Sequence, residues 1–225
     1  MVRELNYMII NYSNNDLEYI DYICNELDKK SQEIVDFFDI KDFGKKVSVT
    51  LFDSLEVFRR KCAKVNRTSV SNVPEWVCGM KIPNGDIYTL CLDEYRKTKG
   101  HENKSIEDLV YLILHEFTHA CHSKIKKDNQ RGYAWLAEGL ATTISHQYDN
   151  VNINFNATLE EVMYKDSDYI SHHTMFKYVL DTYGRDYVLE LIKNYDLLVK
   201  DTPKLYEEIR ELYYDSELGK EGKNR

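Results

Sequence analysis

The sequence contains no apolar stretch that approaches the roughly 18 residues needed to cross a membrane as a helix. Residues 1–10 also lack the sustained apolar segment and the small-residue cleavage site of a secretory signal peptide. Positive charge is scarce: the chain has 30 Lys and Arg and 38 acidic residues, which give a formal net charge of −8. Phosphate binding requires basic surface. We therefore expect neither a membrane nor nucleic acid as a partner.

The cysteines form no Cys-x-x-Cys pair. They are odd in number and widely spaced along the chain, at Cys24, Cys62, Cys78, Cys91 and Cys121. Such a set does not fit the disulfide framework of a secreted protein. We expect reduced, mostly buried thiols and a cytoplasmic location.

The chain also has no internal repeat and no low-complexity linker. Its 225 residues, 43% hydrophobic and 30% charged, are ordinary for a globular protein with a buried core. We expect one domain spanning 1–225, of the α+β class. Its predicted parts are a mixed α/β lobe over about 1–123, a helical lobe over about 124–215 and a charged tail over 216–225.

In the first lobe, apolar periodicity predicts strands at 5–12 and 47–51, and helices at 16–38 and 54–61, the latter capped by Ser54. Asn84-Gly85 lies between two alternating segments, 76–82 and 86–92, and this is a strong hairpin signal. Polar residues 96–104 indicate a loop. Ser105, followed by Glu107 and Asp108, is typical of a helix start.

In the second lobe, a helix is predicted from Arg131 to Tyr148, followed by a loop at 149–152. Residues 158–214 have a helical pattern that we expect to break near Gly184 and Pro203.

The most informative segment is His115-Glu116-Phe117-Thr118-His119. Positions i and i+4 of a helix share one face, so both imidazoles can bind the same ion. Glu116 would then lie beside the ion as a general base that takes a proton from water. Catalytic zinc is usually held by three protein ligands, and Glu138 is a candidate for the third. Eighteen residues separate His119 from Glu138.

This spacing resembles the signature of the gluzincin metallopeptidases, the thermolysin and aminopeptidase N kind. The Trp135-Leu136-Ala137-Glu138-Gly139-Leu140-Ala141 segment looks like that of the small "peptidase MA-like" proteins of bacteria. The resemblance is strongest over about residues 46–185. It implies a zincin-like fold, one Zn²⁺ per chain held by His115, His119 and Glu138, and hydrolysis of peptide bonds with Glu116 as base.

The same resemblance implies further roles. The strand before the metal helix, here 87–92, would be the edge strand that pairs with an extended peptide substrate, and the alternative is an ordinary core hairpin. An oxyanion donor would come from the helical lobe, and Tyr169, His172 and His173 are the candidates. Aminopeptidases of this kind carry an acid after Gly-x-Met, whereas this chain has Lys81 after Gly79-Met80. We therefore do not expect an aminopeptidase.

Two other functions fit parts of the pattern. A peptide-deformylase-like zinc enzyme would use Cys91 as third ligand in place of Glu138. A catalytically silent binding or regulatory module would keep the fold without turnover, although it would have no need of Glu116.

Overall fold

A computed structural model describes residues 1–126, 133–165 and 168–221, with the side chains of the last range described through residue 213. The chain divides into two compact units, Met1–Lys124 and Ile125–Arg225. The first unit combines a sheet with helices, and the described part of the second is helical. The fold class is therefore α+β, as the sequence predicts.

The first unit is built on a five-stranded mixed sheet. Its strands are β1 Val2–Glu4, β2 Met8–Asn11, β3 Val47–Phe52, β4 Gly79–Lys81 and β5 Ile87–Leu90, in the order β1-β2-β3-β5-β4. Strands β2, β3 and β5 run parallel, while β1 and β4 pair antiparallel at the two edges. The three parallel strands require helical crossovers between them, which explains the alternation of strand and helix along this part of the chain.

Four α-helices belong to the first unit: α1 Ile20–Phe37, α2 Leu55–Val65, α3 Leu92–Lys97 and α4 Ile106–Ile125. Helix α1 begins later than predicted, because Ser13 and Asp16 form a capping box around a separate 3-10 turn. Ser54 caps α2 as predicted and accepts a hydrogen bond from the N–H of Val57. Helix α3 overlaps the predicted loop, because the predicted strand ends at Leu90 and Cys91 caps a short helix instead.

The predicted hairpin is confirmed as β4 and β5, with Gly85 in the left-handed region at φ +89°. Its position in the sheet differs from the prediction. The free edge is β4, whereas β5 lies between β3 and β4. The expectation that 87–92 forms the edge strand is therefore wrong, because the preceding arm of the hairpin folds over the outside of β5.

Helix α4 starts at the predicted serine. Ser105 accepts from the N–H of Asp108, and Asp108 accepts in return from the N–H of Ser105. The helix packs inside its own unit, where the Phe117 ring stacks on Phe43 at 5.5 Å and Tyr22 donates to Glu107 at 2.9 Å. These contacts hold the helix near its start and just past its middle.

The second unit contains α5 Ala134–Ile144, α6 Leu159–Tyr164, α7 Tyr169–Lys193 and α8 Tyr195–Glu221. Helix α5 ends before the predicted Tyr148, because His146 takes a positive φ of 63°. The predicted break at Gly184 is present, at φ 82° and ψ 171°. No break occurs at Pro203, which lies inside α8, and the chain breaks at Asn194 instead. Helix α8 covers part of the predicted tail, and 222–225 lie outside the described residues.

Helices α5 and α7 pack closely at Gly139. A Cβ added there would overlap the main-chain carbonyl oxygen of His172 and lie 2.5 Å from the Cβ of Phe176. Both of these residues are fully buried, so neither can move aside easily. The missing side chain of Gly139 therefore sets the separation of the two helices, one residue after Glu138.

We expect Gly139→Ala to lower the free energy of unfolding by an amount at the upper end of about 1–3 kcal/mol, the usual cost of overpacking a core. Chemical denaturation of both proteins measures this difference. Gly79→Ala is the matched control, since the nearest atoms to its Cβ would belong to the Leu112 side chain, at 3.1 Å. That side chain can shift, and we expect a cost below about 1 kcal/mol. Equal costs for the two variants would contradict the role assigned to Gly139.

Among the described residues, the helices are too short or too polar to cross a lipid bilayer.

Candidate metal centre

The two histidines of α4 lie on one face, as their spacing predicts. Their Nε2 atoms are 3.1 Å apart, and the rings meet edge to face with centroids 4.8 Å apart. His115 is 5% exposed and His119 is half-buried. Two nitrogens bound to one tetrahedral zinc at 2.0–2.1 Å would be about 3.3 Å apart. The observed pair is therefore close to the geometry that a shared ion requires.

Glu116 is held beside this pair by the edge of the sheet. The main-chain N–H of Lys81 in β4 donates to Glu116 Oε2 at 2.6 Å. This N–H points away from β5, because the neighbouring Ile82 is the residue whose N–H pairs with Asp86 across the hairpin. Glu116 as a whole is 8% exposed. One oxygen of this carboxylate is thus positioned by the backbone of β4.

Glu138 lies in the middle of α5 and is half-buried. Its helix is anchored by Trp135, which is fully buried and donates from Nε1 to Thr202 Oγ1 of α8 at 3.3 Å. Thr142, one turn later, donates its hydroxyl proton to the main-chain carbonyl of Glu138 at 2.8 Å. Because that proton goes to the backbone, the Thr142 hydroxyl does not donate it to a ligand side chain.

The structure brings the three candidate ligands together. The donor atoms of His115, His119 and Glu138 all lie within 4.8 Å of one another. Two imidazole nitrogens and one carboxylate oxygen are a donor set that catalytic zinc accepts, with a position left for water or substrate. The residues present therefore fit the ion that the motif implies.

The other candidate third ligand, Cys91, is not part of this cluster. It caps the start of α3 and is 2% exposed. Burial raises the pKa of its thiol to about 11, whereas a cysteine that binds metal must be deprotonated. Nothing in the described geometry therefore favours the deformylase-like arrangement.

The candidate oxyanion donors occupy the first two turns of α7. Tyr169 is its first residue, half-buried, behind the N-cap Asp168. His172 and His173 are both buried, and His173 Nδ1 lies 3.0 Å from the hydroxyl of Thr143. Burial lowers the pKa of His173. This imidazole is thus neutral near pH 7 and engaged with α5, which leaves Tyr169 as the more accessible of the predicted donors.

Tyr148 is a further candidate for the oxyanion donor, and the sequence did not indicate it. It lies in the turn after α5, with its ring 5.6 Å from that of His173. Burial raises the pKa of Tyr148, and the charges of Glu138 and Asp168 raise it further. Its phenol is therefore a protonated hydrogen-bond donor in the electrostatic field of Glu138. No sequence signal distinguishes it among 18 tyrosines.

Three comparisons, with models of protein families, with curated proteins and with solved structures, give no match to this chain.

Proposed function

We propose that this protein is a zinc-dependent hydrolase of peptide bonds with a zincin-like fold. His115, His119 and Glu138 would hold one Zn²⁺ per chain. The observation that supports this most directly is the convergence of their donor atoms within 4.8 Å. Glu116, the residue after His115, is buried. A metal site without turnover has no use for a base held at that position.

When bound, zinc would polarise the substrate carbonyl and lower the pKa of a water molecule. Glu116 would accept a proton from the attacking water and then pass it to the leaving amine. The Lys81 N–H, bonded to Oε2 at 2.6 Å, would keep the carboxylate oriented during both transfers. Orientation of this kind fixes the base before reaction, so no reorganisation is needed in the transition state.

The substrates would be peptides or proteins. The acidic side chain that would bind the free amino terminus of a substrate is absent from its expected place. The position after Gly79-Met80 on β4 holds Lys81 in this chain, where aminopeptidases with the gluzincin signature hold an acid. We therefore propose cleavage that does not depend on a free substrate amine. The five free, buried cysteines support a reducing compartment, the cytoplasm.

The proposal is tested with a library of amino-terminally blocked peptides and the full chain, first loaded with zinc and then stripped by a chelator. We expect cleavage of some peptides by the zinc-loaded protein, loss after stripping, and recovery when zinc is returned. Mass spectrometry of the products locates the cleaved bond. If the protein carries one zinc per chain and cleaves none of the peptides, the proposed hydrolase function is contradicted.

Tyr169→Phe and Tyr148→Phe identify the oxyanion donor. Removing one donor of this kind typically lowers kcat by about 10²–10³-fold. We expect this loss in Tyr169→Phe with zinc content unchanged, and Tyr148→Phe is the structural rival tested beside it. Tyr183→Phe is the control, because that hydroxyl donates to Glu208 at 2.7 Å in the helical unit. If neither variant differs from this control, neither tyrosine stabilises the oxyanion.

A further inference from the structure

The first unit contains a basic pocket of about 260 Å³ beside the β4–β5 hairpin. We call it the lysine pocket. It is lined by the segment before β3, the hairpin turn and the last turns of α4, and its charged residues are Lys45, Lys46, Lys81, Asp86 and Lys124. Four lysines against one aspartate leave a local charge of +3 in a chain whose net charge is −8.

Two of the four lysines already have protein partners. Lys46 donates to Glu4 at 2.8 Å and to the Leu5 carbonyl at 2.7 Å. Lys124 donates to the Phe43 carbonyl at 2.7 Å and lies over the Phe43 ring. Within the described part of the chain, Lys45 and Lys81 form no ion pair with a carboxylate. Two ammonium groups are thus left to bind an anion.

The single acid of the pocket does not neutralise them. Asp86 Oδ1 accepts from the Ser48 N–H at 3.0 Å, and Oδ2 accepts from the Asn84 side chain at 2.7 Å. Its carboxylate therefore serves to fix the hairpin turn against β3. The lysine pocket keeps an excess of positive charge on a concave surface, where field lines converge and attract anions.

Lys81 and one face of α4 connect the lysine pocket to Glu116, the proposed general base. Lys81 lines the pocket, and its main-chain N–H holds Glu116. Ala120 and Lys124 follow Glu116 at one and two turns of α4, on the same face. At 1.5 Å per residue they lie about 6 and 12 Å further along the axis. An extended peptide covers that distance in about two to four residues.

We propose that the lysine pocket binds a carboxylate of the substrate, two to four residues from the bond that is cleaved. The substrate class is then an acidic peptide, with the carboxylate supplied either by a Glu or Asp side chain or by the C-terminus. This inference rests on the proposed function for the distance to the cleaved bond. The binding of a carboxylate at Lys45 and Lys81 does not depend on catalysis.

The binding test uses rhodamine-labelled peptides and the full chain carrying Glu116→Gln, so that no probe is consumed. One probe has a single Glu in a neutral sequence with an amidated end, and a second has Gln in its place. A third has Gln and a free C-terminal carboxylate, which separates the two sources. Fluorescence anisotropy, with Glu moved through the sequence, gives the dissociation constants.

We expect the best carboxylate probe to bind about tenfold more tightly than its neutral analogue, as charge-assisted hydrogen bonds from two lysines allow. Lys45→Gln/Lys81→Gln should remove this preference. Lys61→Gln/Lys64→Gln, an equal change of charge on α2, should retain it. Equal binding of acidic and neutral probes, or a preference that survives in the Lys45/Lys81 variant, would overturn the lysine pocket as a carboxylate site.

The cleavage test separates this inference from the proposed function. With zinc-loaded wild type, kcat/KM should be higher for the acidic peptide than for its neutral analogue, and the Lys45/Lys81 variant should treat the two alike. Cleavage without a preference for acidic peptides would overturn the lysine pocket as a carboxylate site and would not contradict the proposed peptidase function. A preference in binding without any cleavage would contradict the peptidase alone.

Discussion

Glu116→Gln should lower kcat for peptide cleavage by about 10²–10⁴-fold, the usual contribution of a general base, while zinc content stays unchanged. The amide oxygen of glutamine can still accept the 2.6 Å hydrogen bond from the Lys81 N–H, so the side chain should keep its place. An amide cannot take up the proton of the attacking water. The variant therefore removes proton transfer with little change in shape. Steady-state kinetics and metal analysis on the same preparations measure both quantities.

Glu107→Gln is the matched control, because it makes the same substitution on the same helix. The Glu107 side chain accepts from the Tyr22 hydroxyl at 2.9 Å, and a glutamine oxygen can do the same. We expect nearly wild-type turnover. If Glu116→Gln matches this control in every assay, the catalytically silent module becomes the better description, since a binding protein does not need a base beside its ion.

Glu138→Ala should reduce zinc from about one ion per chain to a small fraction, with affinity weakened by more than about 100-fold. Two imidazoles alone form an incomplete site, and alanine offers no oxygen to replace the carboxylate. Inductively coupled plasma mass spectrometry of dialysed protein measures the metal. Thermal unfolding gives a second readout, because a ligand at 1,000 times its Kd stabilises the folded state by about 4 kcal/mol. Added zinc should therefore raise Tm of the wild type and leave the variant nearly unchanged.

Glu160→Ala, an exposed acid on α6, controls for the loss of one negative charge in the same unit. Zinc retained at full occupancy in Glu138→Ala would remove Glu138 from the site and direct attention to another ligand. A wild-type protein that takes up no zinc even when the ion is supplied would contradict the hydrolase as a whole.

Features set by short-range interactions were predictable from the sequence. The caps at Ser54 and Ser105 depend on a side chain and an N–H three residues away. The hairpin depends on the ability of Asn84-Gly85 to adopt the turn, with Gly85 at φ +89°. The common face of His115 and His119 follows from helix geometry alone.

Other features of the fold could not be read from the sequence. Pro203 was expected to end a helix, yet α8 continues through it, and the break falls at Asn194. Nothing near 87–92 in the sequence shows which arm of the hairpin is outermost, because this depends on the pairing of β5 with β3. His172 and His173 are buried by the packing of α7 against α5, which requires the absence of a side chain at Gly139.

The sequence by itself determined which chemical groups the candidate site can use. They are two histidines one helical turn apart, a glutamate between them, and a second glutamate separated from the second histidine by eighteen residues. It did so because the spacing of two residues on an α-helix determines whether their side chains lie on the same face. Only the tertiary structure decided that β4 holds Glu116 through the N–H of Lys81, and that four lysines from three segments line one pocket. These arrangements join residues up to 79 positions apart in the chain, from Lys45 to Lys124, and contacts over such separations are set by the packing of the whole unit.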